Sequence, residues 1–349
     1  MSVFFSILLL VVGLIILVKG ADVFVDGSSQ IAKRLNVSER VIGLTLVAFG
    51  TSFPELSISV IATINQSDGL AIGNVVGSNI FNICVVLGII ALIRPIKVSE
   101  SMVKKDIPMG ILTAVVLLIL LFDTIFASDS VNRLTRSDAL IFLLFFVVFL
   151  YYTFYKTAND TRCTVHGARC TVHDASNNSE TPFALRPSPL ADKEASQIKT
   201  YSLTSNILMI VLGLAGVLLG GELVVRFGSA TAEAFGMSHT LIALTIIAIG
   251  TSAPELAIGI VAIRKGKDDI AIGNIVGSSV FNILFVLGAA ALITPITLTV
   301  NILIDVILLI AVSVFLFISS RSKGQISRGE GVFFLVVYVI YFVYIIHRG

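Results

Sequence analysis

Residues 41–95 read VIGLTLVAFGTSFPELSISVIATINQSDGLAIGNVVGSNIFNICVVLGIIALIRP, and residues 241–295 read LIALTIIAIGTSAPELAIGIVAIRKGKDDIAIGNIVGSSVFNILFVLGAAALITP. The two align without a gap at a constant offset of 200, with about 30 of 55 positions identical. Both blocks are apolar runs broken by the same polar insertions, and uncharged stretches near 20 residues recur on either side. Such stretches cross about 30 Å of hydrocarbon at 1.5 Å per helical residue. Over all 349 residues the chain is 56% hydrophobic and 13% charged, with a mean hydropathy of +0.99. A soluble domain carries roughly 25% charged residues, so this chain lacks the polar surface to cover a soluble fold. The bilayer is its solvent.

Ten spans are expected, at about 3–19, 41–64, 70–93, 107–123, 138–155, 205–219, 240–263, 269–293, 300–319 and 331–346. The N-terminal MSVFFSILLL has no basic leader and no small-residue cleavage pattern after it, and reads as a retained first helix. The expected fold is an all-α integral membrane protein. Residues 1–155 form one five-helix unit, 201–349 a second, and 156–200 a polar connector. Five is odd, so the second unit enters from the opposite side, giving two inverted five-helix repeats. Under this arrangement about 20 of the 24 lysines and arginines fall on one side, counting Lys19, Lys33, Arg34 and Arg40 in the first loop. By the positive-inside rule both termini are then extracytoplasmic and the connector cytoplasmic. With no Trp in the chain, Tyr151, Tyr152, Tyr155, Tyr338, Tyr341 and Tyr344 are the expected interfacial anchors.

The chemistry lies in GTSFPELSIS (Gly50–Ser59) and GTSAPELAIG (Gly250–Gly259), each with a Glu near mid-span. A carboxylate at that depth costs about 2.5–3.5 kcal/mol on insertion scales, so Glu55 and Glu255 require partners or a function. Pro54 and Pro254 cannot donate an N–H and clash with the carbonyls of Gly50 and Gly250, so both spans should break. Backbone oxygens freed there are tolerated only where buried or lining a cavity. Helical spacing puts Thr51 beside Glu55 and Thr251 beside Glu255. The following spans, AIGNVVGSNIFNI (Ala71–Ile83) and AIGNIVGSSVFNI (Ala271–Ile283), carry stripes of Asn74, Ser78, Asn82 and of Asn274, Ser278, Asn282. Ridges of Gly73 with Gly77 and Gly273 with Gly277 run beside them, permitting close helix approach. Every donor in these motifs is oxygen. Hard oxygen ligands suit Ca²⁺ and Na⁺ rather than Zn²⁺ or Cu⁺. Two Glu supply a charge of about −2, matching one Ca²⁺, and two facing carboxylates leave room for protons as competitors.

These motif pairs closely resemble the two alpha repeats of the sodium/calcium exchanger family within the calcium:cation antiporters. The resemblance implies ten helices around four central cation sites, with alternating access by sliding of the first helix of each repeat. Carried over position by position, it implies Glu55 and Glu255 as principal Ca²⁺ ligands. Thr51, Ser52, Ser78, Thr251, Ser252 and Ser278, with the carbonyls of Ala48 and Ala248, would complete the Na⁺ and Ca²⁺ sites. Some members carry Asp where this chain has Asn82 or Asn282; here those positions would supply amide oxygens.

The expected function is Na⁺/Ca²⁺ antiport in the cell membrane, with Ca²⁺/H⁺ antiport through the same glutamates as the alternative and a passive channel as a remoter one. No cofactor is expected. The partners are the two ions and the lipid bilayer, and the chain is expected to act as a monomer. The net charge of +2 leaves no nucleic-acid footprint, and Cys84, Cys163 and Cys170 give no disulfide framework. No nucleophile and base pair supports an intramembrane enzyme. The connector is rich in Ser, Asp, Asn and Pro and is expected to be disordered. Its Cys163, His166, Cys170 and His173 fit a small tandem duplication better than a zinc site. Asp22 and Glu222 correspond under the repeat and either line an ion entrance or simply meet water. Asp123 and Asp305 read as span-end or pairing residues.

Overall fold

A computed structural model describes residues 3–120, 132–165, 202–235, 248–297 and 301–348. The first half comprises α1 (Val3–Leu35), α2 (Glu39–Thr51), α3 (Phe53–Ile64), α4 (Asp68–Ile93), α5 (Ile107–Leu120) and α6 (Arg136–Val165). The second comprises α7 (Leu203–Ala234), α8 (Ala248–Thr251), α9 (Ala253–Arg264), α10 (Asp268–Ile293), α11 (Asn301–Lys323) and α12 (Arg328–Arg348). The offset of 200 survives in the coordinates, since α3 and α9, and likewise α4 and α10, begin at matched positions. Four strands of two residues lie between helices: β1 (Ile96–Lys97), β2 (Arg133–Leu134), β3 (Ile296–Thr297) and β4 (Gln325–Ile326). Each pairs across the halves, β1 with β4 and β2 with β3, both antiparallel. Asp268 accepts from the Lys97 N–H at 3.0 Å and Asp68 from the Thr297 N–H at 2.9 Å, a matched pair of clasps.

Among the described residues seven helices are long and apolar enough to cross a membrane, and the bent pair α2 and α3 makes an eighth if taken as one span. The expected spans 107–123 and 240–263 both run into undescribed segments. α4 and α10 form the centre, buried along 72% and 83% of their apolar windows, against 22% for α1 and α7 at the periphery. The chain is an all-helical integral membrane protein in which the duplicated block supplies the core.

Several expectations are corrected. α1 and α7 run for 33 and 32 residues, about twice the expected spans. Lys19, Asp22 and Glu222 therefore lie inside helices rather than in loops, because a few charges on an exposed face do not end a helix whose other face is Gly, Ala and Ser. Residues 156–165, Cys163 among them, continue α6, while the rest of the connector, with His166, Cys170 and His173, lies outside the described residues, as does Asp123. Tyr341, expected at an interface, is only 7% exposed, and Tyr338 packs on Phe81 at 5.5 Å between ring centroids. Asp305 is a pairing residue, held by Arg348 at 2.9 and 3.1 Å.

α1 and α7 pack antiparallel along a seam of glycines seven residues apart. A Cβ at Gly20 would lie 2.6 Å from the Val217 nitrogen, and one at Gly220 would lie 2.4 Å from the Leu17 nitrogen. The two backbones are in direct contact, as small-residue interfaces permit in lipid. Of the two expected ridges, that of Gly273 and Gly277 is in use, against the backbone oxygens of Arg40 and Leu44, whereas a Cβ at Gly73 or Gly77 would meet nothing within 4 Å, so the first ridge makes no close helix contact. Gly220→Val should therefore lower the thermal midpoint in detergent by several degrees, the scale of an overpacking cost of about 1–3 kcal/mol. Gly329→Ala, with nothing within 4 Å of the added Cβ, should leave it unchanged. Fluorescence-detected unfolding checks both.

Candidate cation site

The sequence breaks the second span of each half where its prolines stand. α2 stops at Thr51, Ser52 takes φ −83° and ψ 7°, and α3 departs at 46°. In the second half Ser252 takes φ −96° and ψ 8° between α8 and α9. Pro54 and Pro254 sit in the first turn of α3 and α9, where a missing N–H costs nothing, and Glu55 and Glu255 follow in the same turn. Each carboxylate thus lies at a helix N-terminus, whose dipole favours negative charge, facing a preceding helix end whose carbonyls favour a cation. Short π-helical segments lie alongside, at Gly43–Val47, Asn82–Val86 and Asn282–Leu287, so that Asn82 and Asn282 each open one. Such segments recur at functional sites.

The two halves interlock here. Thr51 donates toward the Asn274 Oδ1 at 3.1 Å and the Ala48 carbonyl at 3.3 Å, and lies 3.4 Å from the Ser278 Oγ. Glu55 Oε1 lies 3.5 Å from the Ser78 Oγ, and Asn74 donates to the Glu55 carbonyl at 3.2 Å and to Ser59 Oγ at 3.0 Å. The Glu255 carboxylate lies beside Thr51 and close enough to Glu55 for their charges to interact. First-half residues thus meet second-half residues around one centre.

Glu55, Glu255, Ser52, Ser252, Asn82, Asn274, Asn282 and Ser278 are all buried. Many of their polar atoms have no partner within the protein: Glu55 Oε2, both oxygens of Glu255, both polar atoms of Asn82, Asn274 Nδ2, Asn282 Oδ1, and the hydroxyls of Ser52 and Ser252. Leaving a buried polar atom unpaired costs about 1–3 kcal/mol and more when it is charged. Seven of these atoms are oxygens, the donor type that hard cations coordinate, and two are amide nitrogens.

Of the twelve residues expected at this site, Thr51 meets Ala48 and Ser278, and Glu55 meets Ser78. Thr251 ends α8, half-buried, and Ala248 begins it. The Ala48 carbonyl is the one that behaves differently. It accepts the Ser52 N–H at 3.0 Å and also lies within reach of the Thr51 hydroxyl, so its lone pairs are engaged rather than open. Residues beyond the motif reading complete the centre. Asn79 accepts from Asn282 Nδ2 at 3.1 Å and donates to the Ser279 carbonyl at 3.2 Å, tying α4 to α10 where they cross. The repeat has Asn at one of these positions and Ser at the other, and that inequality within an otherwise matched motif was the available signal. No group of three or more His, Cys, Asp or Glu side chains that could hold a metal occurs among the described residues. The charge at the centre rests on two glutamates.

A family model described as sodium/calcium exchanger protein matches residues 5–155 and 205–347. The sodium/calcium exchanger MaX1 of Methanosarcina acetivorans is 32% identical over 352 residues, covering 97% of each chain. The putative antiporter CaxA of Alkalimonas amylolytica is 37% identical, covering 95% of each. Among solved structures, the sodium-calcium exchanger NCX_Mj soaked with zero Na⁺ and Ca²⁺ superposes with a TM-score of 0.76 at 28% identity, covering 99% of this chain and 100% of that one. Two alpha-repeat motifs, their buried glutamates and a match along nearly the whole chain agree: this protein belongs to the sodium/calcium exchanger family.

Proposed function

We propose that the protein exchanges Na⁺ for Ca²⁺ across the cell membrane by alternating access, with Glu55 and Glu255 as the charged ligands of the transported ions. The observation that carries this reading is the pair of buried carboxylates surrounded by unpaired amide and hydroxyl oxygens. Ca²⁺ takes six to eight oxygens with loose geometry, and Glu55, Glu255, Asn82, Asn282, Ser52, Ser252, Ser78, Ser278, Thr51 and Thr251 offer such a set. Two carboxylates are neutralised by one Ca²⁺ or by two Na⁺, but not by both loads together. Competition for the same charge is the physical basis of exchange. The carbonyls of Ala48 and Ala248 would join the site in a conformation that releases the former from its helical donor.

The full architecture in this reading is ten helices in two inverted five-helix repeats, 1–155 and 201–349. The antiparallel α1 and α7, and the cross-half pairing of all four strands, support it. Lysine and arginine bias puts both termini outside and the 156–200 connector in the cytoplasm. One chain contributes every ligand, consistent with a monomer as the working unit. Two neighbouring buried carboxylates are also what proton exchange would use, so Ca²⁺/H⁺ antiport remains the second reading.

Proteoliposomes loaded with Na⁺ and diluted into Na⁺-free buffer should take up ⁴⁵Ca²⁺, and a pH gradient alone should drive none. Uptake driven only by pH would transfer the assignment to proton exchange. Glu55→Gln and Glu255→Gln should each reduce uptake by at least about tenfold, since each leaves the partner charge without its cation. Asn82→Ala, which removes one neutral oxygen worth about 1.5 kcal/mol to a charged partner, should raise the Ca²⁺ concentration for half-maximal uptake about tenfold. In detergent, Ca²⁺ should raise the thermal midpoint of the parent protein by mass action and leave that of the Glu55→Gln, Glu255→Gln double variant in place.

A further inference from the structure

The two halves share a sequence pattern but are packed differently. On α9 an i,i+4 stripe of Ala253, Ala257 and Val261 leads to Lys265 just past the helix end. Ala253 is 8% exposed, and Ala257 and Val261 are each 7% exposed. At the corresponding places on α3, Phe53 is 49% and Ile61 58% exposed, and the series ends at Asn65. The difference follows the peripheral helices. α1 packs against α9, whereas among the described residues α7 makes no comparable contact with α3.

Charge holds the closed side. Lys265 Nζ lies 2.8 Å from Asp22 Oδ1, 2.7 Å from Asp26 Oδ1 and 2.9 Å from the Asp22 carbonyl, so one ammonium spans a turn of α1. Two residues on, Lys267 meets Glu39 at 2.5 Å, and the same Glu39 oxygen accepts from Ser29 of α1 at 2.5 Å. The loop between α9 and α10 is thereby fastened to α1 and to the start of α2. The repeat offset shows that the other half lacks this equipment. Asp22 becomes Glu222, Asp26 becomes Arg226, Lys265 becomes Asn65 and Lys267 becomes Ser67. Arg226 instead lies over the Phe227 ring at 5.8 Å.

We propose that Lys265, with Asp22 and Asp26, and Lys267, with Glu39, form a one-sided latch that holds α1 over α9 and biases the exchanger toward the conformation closed on that face. This rests on the alternating-access reading above and adds to it a reason for unequal occupancy of the two states. A latch present on one face alone stabilises one end state and leaves the reverse state without an equivalent. The pairs are partly exposed, with side chains between 24% and 47% accessible, so they are weak enough to break in each cycle and are sensitive to salt.

The test uses the full chain in proteoliposomes with Cys84, Cys163 and Cys170 replaced by Ala, carrying either Val261→Cys or Ile61→Cys, and follows labelling by a membrane-permeant thiol reagent. In the parent background Val261→Cys should label slowly and Ile61→Cys quickly. Adding Lys265→Gln should speed labelling at Val261→Cys about fivefold, the scale of two partly exposed ion pairs, whereas Lys265→Arg should preserve the slow rate. Raising choline chloride from about 0.02 M to about 0.5 M should speed Val261→Cys labelling in the Lys265 protein and not in the Lys265→Gln, Lys267→Gln double variant, because screening acts only where the pairs exist. An unchanged rate in Lys265→Gln overturns the latch, and so does salt-independent labelling of the Lys265 protein, which needs no charge variant to fold. Failure of the alternating-access reading is separate: labelling at Val261→Cys and Ile61→Cys would then not shift in opposite directions when Ca²⁺ or Na⁺ is added.

Discussion

Everything in this molecule depends on keeping two carboxylates in a place where charge is expensive. Glu55 and Glu255 are fully buried at the centre of a bilayer-embedded helical bundle, with oxygens that no protein group satisfies. A buried charge without a partner costs several kcal/mol, so the surroundings must offset that cost with dipoles or accept a cation. The broken helices do the first. They aim two helix N-termini at the carboxylates and leave carbonyl ends opposite, which confines the negative potential to a small volume. The unpaired amides and hydroxyls leave that volume ready for the second.

The same demand explains why α4 and α10 are the most deeply buried of the long, span-length helices among the described residues. A polar centre in lipid must be sealed on every side, and helices that carry Asn and Ser stripes toward it need apolar residues elsewhere on their circumference. Their crossing is fixed by Asn79, Asn282 and the Ser279 carbonyl, a directional contact at a point where apolar side chains alone would leave the register loose. Outside this sealed core the cross-half strand pairs and the Asp68 and Asp268 clasps connect the halves at their edges, where water can share the hydrogen-bonding load.

Much of this was legible in the residues. A 55-residue duplication, a proline two positions after each serine at the break, a glutamate next to it, and Asn and Ser at helical spacing specify a broken, oxygen-lined centre by local rules alone. What was not legible depends on distance. The lengths of α1 and α7 were underestimated because Lys19, Asp22 and Glu222 look like loop charges until the opposite helix face is known to be packed. The glycines at 13, 20, 27, 213 and 220 have a visible seven-residue spacing, yet only the partner helix shows that it marks backbone contact. The engagement of the Ala48 carbonyl and the burial of Tyr341 follow from neighbours far away in the chain, which periodicity does not encode.

The glycine seam between α1 and α7 has a mechanical meaning. Two long helices whose backbones touch at their glycines would move together as one beam lying across both halves of the bundle. In the alternating-access reading proposed above, a beam that rests on α9 would have to tilt off it to rest on α3, so the two mouths would be geared to each other rather than separately hinged. Under that reading such a beam would cover one mouth as it uncovers the other, which is what keeps an exchanger from short-circuiting the ion gradient.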